Sequence, residues 1–219
     1  MNQNNPLSTS TPFVLAGGGG HALSLLENLS ESASVAGYTA LSESKNMPVE
    51  WLGDDSVAKS LAEKGIPFHI AFVYAGLPVM KKRKDMINTY SAAGAKFVSI
   101  ISPTAIITRH CTVGEGCAVL HRAVINRATL GNHVIVNTGA IVEHDCLIGS
   151  NTFIGPGAVI GGGVKIGDNC FIGLGARVMN GVTIASGVSV GIGVTVNRDL
   201  TEPGIYHGTP MRFHKIRNS

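Results

Sequence analysis

Every sixth residue from Leu130 to Val196 is aliphatic: Leu130, Val136, Val142, Ile148, Ile154, Ile160, Ile166, Ile172, Val178, Ile184, Val190 and Val196. Four residues after each of the first eleven stands a small side chain, among them Ala140, Cys146, Thr152, Ala158, Cys170 and Ala176. Two inward positions in six, one branched and one small, match neither the 3.6 period of a helix nor the period of 2 of a strand. A fixed short period marks a repeat architecture, here a solenoid of short strands and turns. Before Leu130 the register runs Ile101, Ile107, Val113, Val119 and Ile125, so one residue is missing between 126 and 129. That slip predicts an irregular corner.

Composition fits this reading. Aromatics make up 5% and charged residues 14% of the 219 residues, with 28 glycines, so the core is aliphatic and paced by turns. The net charge of +3 is mild. Basic residues are scattered apart from Lys81-Lys82-Arg83-Lys84 and the tail Arg212, Lys215 and Arg217, without interleaved aromatics, which argues against nucleic-acid binding. No apolar run reaches the roughly 18 residues of a membrane span. Met1 to Thr11 is polar and uncharged, unlike a signal peptide, so a cytoplasmic protein is expected. Cys111, Cys117, Cys146 and Cys170 all fall on the small inward position, which predicts buried thiols and neither disulfides nor metal ligands.

The first hundred residues read differently. After a loose tail at 1–11, Phe13–Ala16 is a short apolar run that ends in four glycines, followed by His21 and leucines at helical spacing. Val35–Thr39 predicts a second strand. Asp54 or Asp55 caps a helix that stops at Gly65, and Phe68–Tyr74 predicts a third strand. Pro78 opens a helix that ends near Gly94, and Lys96–Ile100 returns as a strand. Alternating strands and helices give a small parallel α/β domain over 12–100, followed by a β-helix over 101–200 and a tail over 201–219.

Two stretches carry chemistry. Glycines before a helix let backbone approach a phosphate-bearing ligand, although the same run can serve only as a tight turn. The strand after it ends Tyr38-Thr39-Ala40-Leu41 without the acid that holds a dinucleotide ribose, which disfavours a redox cofactor. His144-Asp145 sets an imidazole beside a carboxylate, as a general base at neutral pH requires. Neighbours on a strand point to opposite sides, so pairing them needs a corner or a second chain, and a lone surface histidine is the plainer alternative. His110, His121, His133 and His144 are spaced 11, 12 and 11 apart, which does not stack them in eighteen-residue coils and argues against a metal centre. Asn137 either bonds a substrate group or caps a turn, and Gly161-Gly162-Gly163 either turns a corner or exposes N–H groups.

The hexads resemble those of the bacterial hexapeptide-repeat acyltransferases. More narrowly, several segments resemble the family of sialic-acid O-acetyltransferases and bacillosamine-pathway sugar N-acetyltransferases. These are Gly17-Gly18-Gly19-Gly20-His21-Ala22, Arg83, Asn137-Thr138-Gly139-Ala140, Val142-Glu143-His144-Asp145-Cys146 and Gly208-Thr209-Pro210. The resemblance implies a Rossmann-like α/β domain followed by a left-handed parallel β-helix, and a homotrimer with acetyl-CoA between adjacent β-helices. It implies N-acetylation of the 4-amino group of a UDP-linked amino-deoxy sugar in bacterial surface-glycan synthesis. His144 carries over as the base, Asp145 as its orienting partner and Asn137 as a neighbour. Gly162 carries over as the oxyanion donor, and Leu174 and Ile192 as contacts to the pantetheine arm. The nucleotide sugar falls to Gly19, Gly20 and His21. Phe153 stands where some members have a second histidine near the acetyl group, and Ala40 and Leu41 stand where the family often has two acids against the base. An O-acetyltransferase and a non-catalytic β-helix scaffold are the competing functions.

Overall fold

The computed structural model describes residues 11–73, 77–208 and 212–214. In the N-terminal domain β1 (Phe13–Ala16) lies between β2 (Val35–Thr39) and β3 (Phe68–Ile70), all parallel. The four residues of β1 are fully buried, as expected of a central parallel strand covered on both faces. α1 (Gly20–Leu26) follows β1, and a 3-10 turn capped by Asp54 leads into α2 (Ala58–Glu63). α3 (Leu77–Ala92) returns the chain to the coils.

Residues 96–100 do not form the expected continuous strand. Phe97 makes a single bridge to Phe68, and Ile100–Ile101 already pairs with Ala118–Val119 in the first coil. The N–H of Val98 donates to Phe68 O and that of Ile100 to Cys117 O, so the chain changes sheets within three residues.

From Ile100 onward the chain winds into three stacked sheets of two-residue strands, and this pattern fits a left-handed β-helix. Partners above the slip lie 18 residues apart, as in Ile135↔Phe153, Ile141↔Val159 and Leu147↔Lys165. Across the slip they lie 17 apart, as in Ala118↔Ile135 and Val124↔Ile141. The missing residue is taken from the corner between Ile125 and Thr129, where Arg127 adopts a left-handed φ of 47°. The inward aliphatics from Val119 on and the four cysteines are buried, and no disulfide joins the cysteines. Burial pushes the thiols of Cys117 and Cys170 up to about 12 and about 11.

The outer face of the eight-stranded sheet carries the N-terminal domain. Ala118, Ile135, Phe153 and Phe171 pack there against Phe13, Leu15, Leu25 and Met80, and the rings of Phe153 and Phe171 stack at 5.0 Å. Arg83, fully buried on α3, clamps the junction by donating to His133 O at 2.9 Å and to the Asn151 side-chain oxygen. The Asn151 amide answers by donating to Met80 O. All fourteen acidic residues of the chain are described, and none forms an ion pair with Arg83.

The C-terminal stretch is more ordered than a tail. Gly204–His207 joins the edge of the eight-stranded sheet parallel to Val188–Val190, and Arg212–His214 pairs back antiparallel. Tyr206 is thereby buried over the end of the core. This hairpin has no hexads, so the period did not reveal it. Residues 1–10 and the Thr209-Pro210 part of the motif lie outside the described residues. No helix among the described residues is long and apolar enough to cross a membrane.

The junction predicts acid sensitivity. Burial lowers His69 to about 4, and burial followed by the nearby Arg83 charge lowers His133 to about 3, so both are neutral in the fold. Their folded values lie below the usual 6.5, so their stabilisation is fully present above pH 6.5 and is lost as pH falls towards 4. Each contributes a loss of up to about 1.4 kcal/mol per pH unit in that window. Thermal midpoints measured from pH 7.5 to 4.5 should fall steeply below 6.5, and less steeply in a His69→Gln variant. An unchanged slope would show that these groups do not set the acid limit.

Candidate active site and ligand cleft

His144 and Asp145 occupy the corner between the strands Ile141–Val142 and Leu147–Ile148. Asp145 takes a left-handed φ of 60°, which asparagine and aspartate tolerate better than most residues, and its N–H donates to Arg127 O in the coil below. The bend brings two neighbouring side chains onto one side, where Nδ1 of His144 lies 2.9 Å from Oδ2 of Asp145. Both are more than half exposed. The hydrogen bond to His144 comes first among the influences that hold the Asp145 carboxyl below its ordinary value. A carboxylate only accepts, so Nδ1 is the donor of this pair, and Nε2 is the ring nitrogen left under Gly162. This arrangement is chemically that of a general base with an orienting partner.

One coil above, Gly162 lies over the imidazole. A Cβ on Gly162 would stand 2.7 Å from both Nε2 and Cε1 of His144, closer than side-chain carbons approach. Glycine is required here for space and not for backbone conformation. The neighbouring Gly163 N–H donates to His144 O at 2.7 Å and ties the two corners together. Gly162 is buried, and its N–H donates to no backbone carbonyl among the described residues.

The other expected site residues fall elsewhere on the prism. Asn137 begins the next corner column, and its side-chain oxygen accepts the Thr138 N–H at 2.7 Å. Leu174 and Ile192 stand on that same column, 42% and 74% exposed, one coil apart. This column and the His144 column are separated by a whole face, roughly 15–20 Å at about 3.3 Å per residue. Phe153 is buried beneath the N-terminal domain, on the sheet opposite the His144 corner. Within one chain the structure therefore brings together His144, Asp145 and Gly162, and separately Asn137, Leu174 and Ile192.

A cleft of about 590 Å³ opens in the N-terminal domain, lined by Gly17, Gly18, Gly19, Thr39, Leu41, Asp55 and Asp85 among others. At Gly18 a Cβ would meet the Tyr38 ring at 2.5 Å, so glycine lets the loop close onto β2. Gly19 and Gly20 face open space. His21 turns instead towards the junction; burial first, then His69 and Arg83, lower it to about 3. Asp55, which local sequence offers only as a helix cap, lines this cleft beside the end of β2.

Known proteins share this architecture. The bacterial transferase hexapeptide (six repeats) family model matches residues 127–162, a span that includes both His144 and Gly162. The structure of PerB from Caulobacter crescentus, in complex with CoA and GDP-perosamine, is 34% identical over 93% of this chain and 97% of that one, with a TM-score of 0.83. A mutant of perosamine N-acetyltransferase from the same organism, also with CoA and GDP-perosamine, is 33% identical over 93% and 96%, with a TM-score of 0.85. The acetyltransferase domain of PglB from Neisseria gonorrhoeae is 26% identical over 93% and 100%, with a TM-score of 0.82. No curated protein matches the chain.

The Gly162 contact yields a sharp prediction. Gly162→Ala should displace the His144 ring and lower acetyl transfer on the order of 100-fold, the scale of losing a well-placed general base. Strand pairing on either side is untouched, so the thermal midpoint should move little. Steady-state kinetics beside a melting curve checks this, and near-normal turnover would mean that the ring has room to shift.

Proposed function

The chain belongs to the hexapeptide-repeat acetyltransferase family of perosamine N-acetyltransferase, and from that membership we propose that it acetylates the 4-amino group of a GDP-linked amino-deoxy sugar. The acetyl donor is acetyl-CoA, in keeping with the CoA and acetyl-CoA complexes of its relatives. Guanosine takes the place of the uridine anticipated from the wider family, because the relatives at 33–34% identity are complexes with GDP-perosamine. The N-terminal domain, read as Rossmann-like, holds the nucleotide in its glycine-lined cleft, and the β-helix carries the chemistry.

The observation that carries the reading is the His144–Asp145 pair under Gly162. The sugar amine attacks the thioester carbonyl carbon of acetyl-CoA and forms the new C–N bond. His144 Nε2 accepts the proton that the amine sheds. The Gly162 N–H donates to the oxyanion of the tetrahedral intermediate, a contribution on the order of 3 kcal/mol in comparable sites. The intermediate collapses with cleavage of the C–S bond, and the imidazolium returns its proton to the departing sulfur. An amide and free CoA thiol result, and no enzyme nucleophile is needed.

A homotrimer completes the site in this proposal. His144 and Gly162 lie on one corner column and Asn137, Leu174 and Ile192 on another, so a second copy is needed to face one set with the other across a groove. Phe153 then contributes through the junction beneath the substrate domain, without direct contact to the thioester in its own chain.

Thiol release from acetyl-CoA, measured against GDP-, UDP- and dTDP-linked 4-amino sugars, tests the reading. Turnover is expected with the GDP-linked amine, and His144→Ala should lower it by about 100- to 10,000-fold while CoA still binds. Acetylation of a free sialic acid and of no nucleotide sugar would instead identify an O-acetyltransferase. Absence of any transfer with folded protein would leave a binding scaffold.

A further inference from the structure

We infer that Asp55 is the base-reading residue of the cleft, its carboxylate accepting the N1–H and N2–H edge of guanine; this rests on the nucleotide-sugar reading above. The family resemblance expects acids at the end of β2, where this chain has Ala40 and Leu41. Leu41 is 93% exposed at the cleft mouth and offers no hydrogen bond. An acid reaches the same place from another part of the chain. Trp51 bridges to Tyr38 and its indole N–H donates to Ala40 O at 3.0 Å, which lays the following segment along β2. Four residues further on, Asp55 enters the cleft beside Thr39.

The carboxylate is held in place. Tyr90 is fully buried, and burial pushes its phenol well above the ordinary value, so it remains a donor. It donates to Asp55 Oδ1 at 2.7 Å and is itself within 2.6 Å of the Thr39 hydroxyl, which therefore donates to it. Oδ2 carries no hydrogen bond among the described residues, and Oδ1 retains a second lone pair. Two fixed acceptors side by side suit a ligand edge with two adjacent donors. Guanine presents N1–H next to an exocyclic amine. Uracil presents one N–H between two carbonyl oxygens that a carboxylate repels, and adenine places an acceptor beside its amine. A buried or oriented polar group discriminates strongly against ligands that leave it unpaired.

Equilibrium binding of GDP, IDP, XDP and UDP to the full chain and to Asp55→Asn tests the inference, with acetyl-CoA binding as the check on folding. The wild type should bind GDP about ten-fold tighter than IDP, which lacks the exocyclic amine. The substitution keeps an oxygen for Tyr90 and supplies a donor to the C2 carbonyl of xanthine. GDP should weaken on the order of 10- to 100-fold, as expected for loss of hydrogen bonds to a charged group. XDP should bind at least about ten-fold tighter to the variant than to the wild type, a swap of donor for acceptor that base recognition requires. Equal weakening of all four nucleotides would overturn the inference in favour of a ribose contact. Unchanged GDP binding in Asp55→Asn would also overturn it. A wild type that prefers UDP would overturn the guanine assignment alone. A wild type that binds CoA but no nucleoside diphosphate would overturn the nucleotide-sugar reading with it.

Discussion

Everything in this chain depends on the closure of an eighteen-residue coil. Each coil spends six residues per face, two of them inward, and stacks so that like falls on like. The branched residue and the small one must alternate because three faces converge on one axis, and a close-packed interior leaves no room for three large side chains at a level. Parallel pairing of coil on coil then satisfies the backbone without long strands. Once the coils stack, the corners form columns, and a side chain at one corner is confronted by the residue eighteen positions on. That is why Gly162 is the neighbour of His144, although the two are far apart in sequence.

The slip near Arg127 sits directly beneath this site. Losing one residue shortens the corner below His144-Asp145, and Arg127 O takes the Asp145 N–H. Asp145 occupies the left-handed position that recurs at the corners of the coils, shared with Arg127, His133, Asn151 and Asn169, where asparagine and aspartate are tolerated better than most residues. The regular column above it, at Gly162-Gly163 and Asn180-Gly181, supplies a firm roof. The Asp145 carboxylate on one side and the close approach of Gly162 on the other orient the imidazole.

The junction between the two domains follows a different logic. One face of the prism is given over to the N-terminal domain, with stacked phenylalanines at its centre and a buried arginine clamp at its edge. An unpaired buried cation is costly unless its hydrogen bonds are well made, and removing its partners is strongly destabilising. Arg83 and Asn151 each bond across the junction in opposite directions, so the domains cannot separate without breaking both. These bonds tie α3, which lines the N-terminal cleft, to the coils of the β-helix.

Periodicity alone determined the solenoid of short strands, the inward burial of the cysteines and the position of the short corner, because side-chain direction in a repeat depends only on residue count. The strand–helix alternation and Val35–Thr39 were legible for the same local reason. The family resemblance pointed to His144, but residue count could not say whether its ring met Asp145; that required the left-handed turn at the corner. The hairpin that begins at Gly204–His207 follows no period, and residues 96–100 have the local pattern of one strand although the chain exchanges partners within it. Asp55 looked like a helix cap, and only the Trp51 bridge and the buried Tyr90 hydroxyl bring it into the cleft. Local periodicity thus sets which residues face inward, whereas the meeting of residues distant in sequence depends on how coils stack and domains dock, which no local spacing encodes.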